Sequence, residues 1–272
     1  MCCYDTEENK RSDYTLKTLK CLAETVDWTM HRLIVIDNNS CEQTKNILSE
    51  CLAVSRTSMA FSHPYRIRDW ATGNSAITII TNAENVGTAK AINQAWKLRQ
   101  PGEHLIKMDN DCVIHSSGWV DELEQAIERD PRIGIIGLKR KDLMENPNRP
   151  DGDGYKSTLR MLAHQNGERW IIVEEVNHVM GTCQMYNWRL IDKIGGMMQP
   201  GIYGFDDSLA AVRCKVAGFK NCFLPHIEID HIDNTETPYW QEKRDMAMKD
   251  MAEYNRLKDA MYMGTESIYL EL

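Results

Sequence analysis

Apolar residues along this chain come in short, nearly continuous runs separated by stretches of helical spacing, and that alternation is the first readable signal. Leu33-Ile34-Val35-Ile36 reads as a strand buried on both faces, and Ile77-Thr78-Ile79-Ile80, the run from Leu105 that ends in Asp109-Asn110-Asp111, and Ile133-Gly134-Ile135-Ile136 read as further strands. Between them lie amphipathic patterns. Leu16, Leu19, Cys21-Leu22 and Ala23 precede the first full strand, and Ile47, Leu48, Cys51 and Leu52 follow it. Ala89, Ile92 and Trp96 stand at i, i+3 and i+7, and Val120, Leu123 and Ile127 repeat the spacing. Ser40 is the expected N-cap of the second helix, and Ser116 or Ser117 that of the fourth. Any strand before the first helix has only Met1-Cys2-Cys3-Tyr4 to draw on. Strand and helix alternating in this way predict an α/β layer with a mostly parallel central sheet flanked by helices.

In the second half the pattern loosens. Residues 54–75 carry Pro64 and Gly73 and read as a loop, and Asn146 to Gly154 is rich in breakers. Asp151-Gly152-Asp153-Gly154 does not continue as a calcium loop. Trp170-Ile171-Ile172-Val173 and Val179 to Met185 read as strands, and Leu209, Val212, Arg213 and Val216 set a helix ending at Gly218. After Tyr239-Trp240 a tail with Met246, Met248, Met251 and Tyr254 is helical, a stripe suited to packing on the domain or to a homodimer surface. The expected division is a domain over 1–235, with a donor half to about 137 and an acceptor half over 138–235, followed by a helical extension over 236–272.

Composition narrows the class. The 272 residues are 42% hydrophobic, enough for a full core. No run approaches the roughly 18 apolar residues of a membrane span, and residues 1–5 lack the features of a signal peptide, so a cytoplasmic protein is expected. The nine cysteines show no C-x-x-C pair and read as reduced thiols. A formal net charge of −8 argues against polyanion binding over the whole surface.

The candidate chemistry lies where strands end. Asp109-Asn110-Asp111 closes an apolar strand, and in extended backbone residues i and i+2 share a side, so Asp109 and Asp111 can face one point. Mg²⁺ or Mn²⁺ is the natural counter-ion for such a pair when a diphosphate supplies further oxygens, although Asp-Asn-Asp also makes simple turns. Asp37 and Asn85 to Gly87 also follow strands, and in open parallel sheets ligands sit at those ends. Asp206 and Asp207 open a helix after a glycine-rich turn, where a carboxylate serves as a cap or, at a pocket edge, as a general base. His231 follows an alternating strand and, as a neutral imidazole, suits a metal.

Taken together these pieces resemble the family 2 glycosyltransferases of the GT-A fold, over about residues 14–140 and 178–233. Ile36-Asp37-Asn38-Asn39-Ser40 is similar to the family's first nucleotide-binding turn, with Asn38 where a second carboxylate is usual. Asn85 to Asn93, including Gly87 and Lys90, looks like its N-x-G-x-x-x-A-x-N segment, and Asp109 to Asp111 like its D-x-D. Asp206-Asp207, with Arg213 and Ala217-Gly218-Phe219 downstream, resembles its E-D motif. The resemblance implies a metal-dependent, inverting transfer of a sugar from a nucleotide-diphosphate sugar, UDP-sugar favoured, to a hydroxyl acceptor. Asp37, Asn38, Asn85, Gly87, Lys90, Asn93, Asp109 and Asn110 would contact the donor. Asp109, Asp111 and His231 would hold Mn²⁺ or Mg²⁺, and Asp207, beside Asp206, would be the base. The family's first strand begins earlier, so this chain has a trimmed start or builds that edge from Cys2, Cys3 and Tyr4. A sugar nucleotidyltransferase shares the sheet type, but no glycine-rich phosphate loop with Lys or Arg stands near the N-terminus. A non-catalytic nucleotide-sugar or glycan-binding subunit is the alternative from outside enzymology. The acceptor class, whether glycan, lipid-linked sugar, protein or modified nucleobase, is not written in any motif.

Overall fold

The computed structural model describes residues 1–57, 76–142, 157–163, 169–233 and 237–272. The expected loops around Pro64 and over Asn146 to Gly154 lie outside these residues. Three parallel strands, β1 (Cys2–Cys3), β2 (Leu33–Asp37) and β3 (Ile77–Thr81), form one sheet in the order β1-β2-β3. The helices α1 (Ser12–Thr25), α2 (Glu42–Thr57) and α3 (Thr88–Trp96) alternate with these strands as the periodicity requires. The first edge is built from Cys2 and Cys3, which pair with Ile36 and Asp37.

A seven-stranded mixed sheet continues from there. Its order is β4 (Leu105–Met108), β9 (Cys183–Tyr186), β6 (Ile133–Arg140), β10 (Lys220–His231), β8 (Trp170–Val176) and β7 (Thr158–Ala163), with β5 (Cys112–Ile114) also on β10. A single parallel bridge between Cys2 and Asp109 joins the two sheets at the D-x-D turn. Parallel pairing describes β1 to β3 and β6 with β10; β4–β9, β6–β9, β8–β10, β7–β8 and β5–β10 are antiparallel. Short apolar runs look alike in either direction, which is why the periodicity did not separate the two cases.

The core fills both faces. Leu19 and Leu22 of α1 and Leu123 and Ile127 of α4 (Trp119–Arg129) pack with Val35, Ile114 and Ile136 in one cluster. Ile92 of α3, Leu190 of α5 (Trp188–Ile194) and Cys214 of α6 (Asp206–Val216) pack with Ile135 and Phe223 in the other. Consecutive β6 residues Ile135 and Ile136 thus serve opposite faces, as expected of a central strand.

Local details depart from expectation for identifiable reasons. Ser40 does not cap α2: its Oγ accepts from Asp5 N at 3.1 Å and its own N–H donates to Asp37 Oδ1 at 2.8 Å, so it ties β1 to β2 instead. Neither Ser116 nor Ser117 caps α4; Gly118 does, at φ +75°, a left-handed conformation that costs glycine least. The strand from Leu105 ends at the D-x-D as expected, and the apolar residues after that turn form a further strand, β5, that the pattern did not separate. Strand β7 was hidden because Leu159 and Met161 are exposed, leaving no buried face to read. All nine cysteines are free, seven of them buried.

The tail is two helices, α7 (Pro238–Lys249) and α8 (Met251–Tyr262), and its end returns to the domain. Leu270 N donates to Ile194 O, and Gly196 N to Leu270 O. Buried Arg213 of α6 gathers the carbonyls of Ile194, Gly196 and Ile268, fastening the chain's end beneath α6. No helix of the described residues is long and apolar enough to cross a membrane.

Candidate functional site

Strand β10 is what closes the site. Its register slips between Leu224 and Glu228, around Pro225, which has no N–H for the ladder. The strand's first half pairs with β8 and its end with β5, setting His231 opposite Cys112. Ile232 N then donates to Asp111 O at 2.9 Å. His231, Asp111 and Asp233 consequently converge, with one ligand atom from each lying within 4.8 Å of the others. His231 Nε2 lies 3.5 Å from Asp111 Oδ2. Burial pushes the His231 imidazole down, toward the neutral form that offers a lone pair. Asp111 would rise on burial, but His231, Arg11 and Lys243 hold it below the ordinary carboxylate range. Its Oδ1 is buried without a hydrogen-bond partner among the described residues. Two carboxylates, one of them with an orphaned oxygen, and an imidazole make a donor set that fits Mn²⁺ or Mg²⁺.

Asp109 lies outside this trio. Its Oδ1 accepts from Lys107 Nζ at 2.6 Å, and its backbone N donates to Thr182 O. Lys107, 4% exposed at its side chain, also donates to Gly181 O at 2.6 Å and lies 3.7 Å from Asp206 Oδ2. Burial alone would lower this ammonium; Asp109, Asp206 and Asp207 overcome it and hold its pKa well above the ordinary lysine value. Lys107 thus ties the D-x-D strand to the head of α6.

At that head, Asp207 Oδ2 accepts from Gly181 N at 2.9 Å and lies 3.3 Å from His178 Nε2, while Oδ1 accepts from Ser208 N at 2.7 Å. A Cβ on Gly181 would come within 2.9 Å of Lys107 Nζ and 3.2 Å of Asp207 Oδ2, so a larger residue would push on the two site side chains that its backbone binds. This is why Val179 to Thr182 is a turn and not the expected strand: its backbone groups bind site side chains. Burial would raise Asp207, but His178, Lys107 and the Gly181 N–H hold it well below the usual carboxylate value. Asp206 goes the other way: burial, with Asp207 and Asp109 nearby and Lys107 opposing, pushes it up to about 6. Its folded pKa therefore exceeds the unfolded one, and the folded state binds the extra proton between about pH 4 and 6. Stability from this proton is fully present below pH 4 and is lost as the pH rises through 6. We expect Asp206→Asn to raise the melting temperature at pH 8 relative to wild type and to change it little near pH 4, as read by thermal melts across that range.

Phe205, which precedes the pair, holds a left-handed φ of +63° that costs a bulky residue about 1–3 kcal/mol. It is held by a stack on Tyr254 of α8, with ring centroids 4.5 Å apart. The tail therefore supports the turn that carries Asp206 and Asp207.

The remaining sequence candidates divide. Asp37 and Asn38 are buried at the end of β2; Asn38 Nδ2 donates to Asn85 Oδ1 at 2.6 Å, and Asn38 Oδ1 accepts from Val86 N at 3.1 Å. Asn85 Oδ1 also accepts from Gly87 N, holding the turn into α3. Asn110 turns inward, donating to Asp5 Oδ1 and Thr15 Oγ1. Asn93 brackets Met197 through both its amide atoms, and Lys90 is exposed on α3. Lys107, His178, Asp233 and Arg11 were not among the sequence candidates. The signal for Lys107 was a lysine inside an apolar strand, one pleat before the D-x-D.

The model of a known family, glycosyl transferase family 2, matches residues 1–195. The chain belongs to that family. A search of curated proteins finds no match. Among solved structures, this family 2 chain is similar to the mannosyltransferase PcManGT from Pyrobaculum calidifontis in complex with GDP-Man and Mn²⁺, at TM-score 0.60 and 16% identity, over 97% of this chain and 68% of that one. It is similar to GalNAc-T7 with UDP, GalNAc and Mn²⁺ at TM-score 0.62 and 14% identity, over 97% of this chain and 50% of the other. TarS 1–349 of S. aureus in complex with UDP-GlcNAc matches at TM-score 0.62 and 15% identity, over 96% and 66%. The family 2 chain thus shares the GT-A fold with these proteins and spans about half to two thirds of their length.

Proposed function

We propose that this chain transfers a glycosyl group from a nucleotide-diphosphate sugar to a hydroxyl acceptor, with inversion. The observation that carries the reading is the Asp207 carboxylate at the head of α6, which accepts from Gly181 N, with Lys107 bridging Gly181 O to Asp109 of the D-x-D turn at the carboxyl end of β4. Asp207 would take the proton of the acceptor hydroxyl. That oxygen would form its bond to the anomeric carbon as the bond from carbon to the diphosphate oxygen breaks and its electron pair leaves with the diphosphate. A carboxylate held below its usual pKa accepts the proton late, when attack has made the hydroxyl acidic. Asp111, His231 and Asp233 would hold Mn²⁺ or Mg²⁺, which as a Lewis acid stabilises charge on the departing diphosphate. Asp37 and Asn38, at the end of β2, would face the nucleoside. The related structures carry UDP in one case, UDP-GlcNAc in another and GDP-Man in the third, the UDP and GDP-Man complexes with Mn²⁺, which supports a uridine or guanosine donor.

The test is a donor screen by thermal shift with UDP, GDP, CMP, dTDP and their sugars, with and without Mn²⁺. A ligand at 100 times its Kd is expected to stabilise by about 2.7 kcal/mol. The Mn²⁺-dependent part should vanish in Asp111→Ala. Binding without any transfer or donor hydrolysis would favour a binding subunit, and the absence of any response would remove the donor assignment.

A further inference from the structure

Arg11 occupies the place that the proposed function gives to a cation. It is the N-cap residue of α1, its backbone N–H held by Asn9 Oδ1 at 3.1 Å, and its side chain is 4% exposed. One guanidinium nitrogen donates to Asp111 Oδ2 and the other to Asp233 Oδ1, so the fork straddles two of the three groups that converge with His231. Tyr14 and Tyr239 flank it at 5.3 and 5.7 Å from their ring centroids. Lys243 of α7 adds a second cation, its Nζ 3.1 Å from Asp233 Oδ2 and 4.8 Å from the Tyr239 ring.

A divalent ion ligated by Asp111, His231 and Asp233 would stand within one contact of that guanidinium. At such a separation in a largely buried site, the doubly charged ion repels the guanidinium at least as strongly as a shared carboxylate attracts it, so the arginine is the weaker competitor for that carboxylate. Both carboxylates have already been neutralised without the metal. A guanidinium displaced from a carboxylate keeps a planar fork that fits phosphate oxygens equally well.

Resting on the metal-dependent reading above, we infer that Arg11 and the divalent ion are alternative occupants of the Asp111–Asp233 carboxylate pair, and that the arginine displaced by the ion passes to the donor diphosphate. Metal and nucleotide then bind as a coupled pair: the ion alone must evict Arg11 with nowhere for its charge to go, whereas ion and diphosphate together give both cations a partner. Such coupling also keeps the two buried carboxylates compensated when no donor is bound.

The experiment is a Mn²⁺ titration of the full chain followed by the electron paramagnetic resonance signal of free Mn²⁺, for wild type, Arg11→Gln and Arg11→Lys, with and without UDP or GDP. Arg11→Gln keeps donors for the carboxylates but removes the charge. It is expected to bind Mn²⁺ alone about tenfold tighter or more than wild type, and to lose most of the tightening that the nucleoside diphosphate gives the wild type. Arg11→Lys, whose single ammonium cannot straddle both carboxylates, should fall between the two and serves if the glutamine variant does not fold. Equal or weaker Mn²⁺ binding in the variants would overturn the inference and leave the metal reading standing. Absence of Mn²⁺ binding in every protein, with or without nucleotide, would remove the metal reading and this inference with it.

Discussion

Asp207→Asn is expected to lower kcat by about 10²-fold or more while donor binding stays near the wild-type value, because the amide keeps the shape of the side chain but cannot take up the acceptor's proton. The amide oxygen still accepts from Gly181 N or Ser208 N, so the turn at the head of α6 should survive the change. The separation of kcat from donor affinity is the informative part. A residue that only stabilised the first turn of α6 would, when made Asn, cost about 0.3–1 kcal/mol of interaction with the helix dipole and leave turnover alone. The measurement is steady-state transfer, or donor hydrolysis to free sugar, alongside donor-induced thermal shifts. Wild-type turnover in Asp207→Asn would move the base to another group. Loss of donor stabilisation together with turnover would instead point to a collapsed turn.

The backbone of this site was legible in the sequence because it depends on local pattern. Short β-branched runs gave β2, β3, β4 and β6, helical spacing gave α1, α3, α4 and α6, and Asp37, Asn85 and Asp109 follow from where strands stop, Asp207 from where α6 starts. What stayed hidden depends on partners distant in sequence. Nothing near Arg11 announces that it will lie between Asp111 and Asp233, 100 and 222 residues away. His178 meets Asp207 only because Gly181 lets the turn pass close to α6. The antiparallel course of β9 and β8 leaves no mark on composition, and β7 is an exposed edge with no periodic face. The tail's Met and aromatic positions were visible as a stripe, but the stack of Tyr254 on Phe205 required knowing that Phe205 takes a left-handed turn.

Lys107 carries the second large effect, and it acts through stability before chemistry. Its ammonium is the charge shared by Asp109 and Asp206 and felt by Asp207, with almost no contact with water. Lys107→Met keeps the apolar stem and removes that charge, leaving the buried Asp206 to face the partly exposed Asp109 and Asp207 uncompensated and Gly181 O without its donor. Breaking one side of a buried ion pair costs about 3–5 kcal/mol, and we expect a loss of that size in urea melts at pH 8. Lys107→Arg should restore it only in part, because a planar fork cannot put its charge at the single point that Nζ holds between Asp109 Oδ1 and Gly181 O. Adding Asp206→Asn to Lys107→Met removes one of the uncompensated carboxylates, and so the double variant should recover part of the lost stability. Melting at pH 5 should recover part of it as well, since Asp206 is the member already pushed toward protonation. A loss below about 1 kcal/mol, the level of an exposed pair, would mean that water reaches these carboxylates and that Lys107 does not hold strand β4 to α6. A full loss with no recovery in the double variant would place the cost in the Gly181 carbonyl and Asp109, shifting the centre of the network from the base to the D-x-D turn.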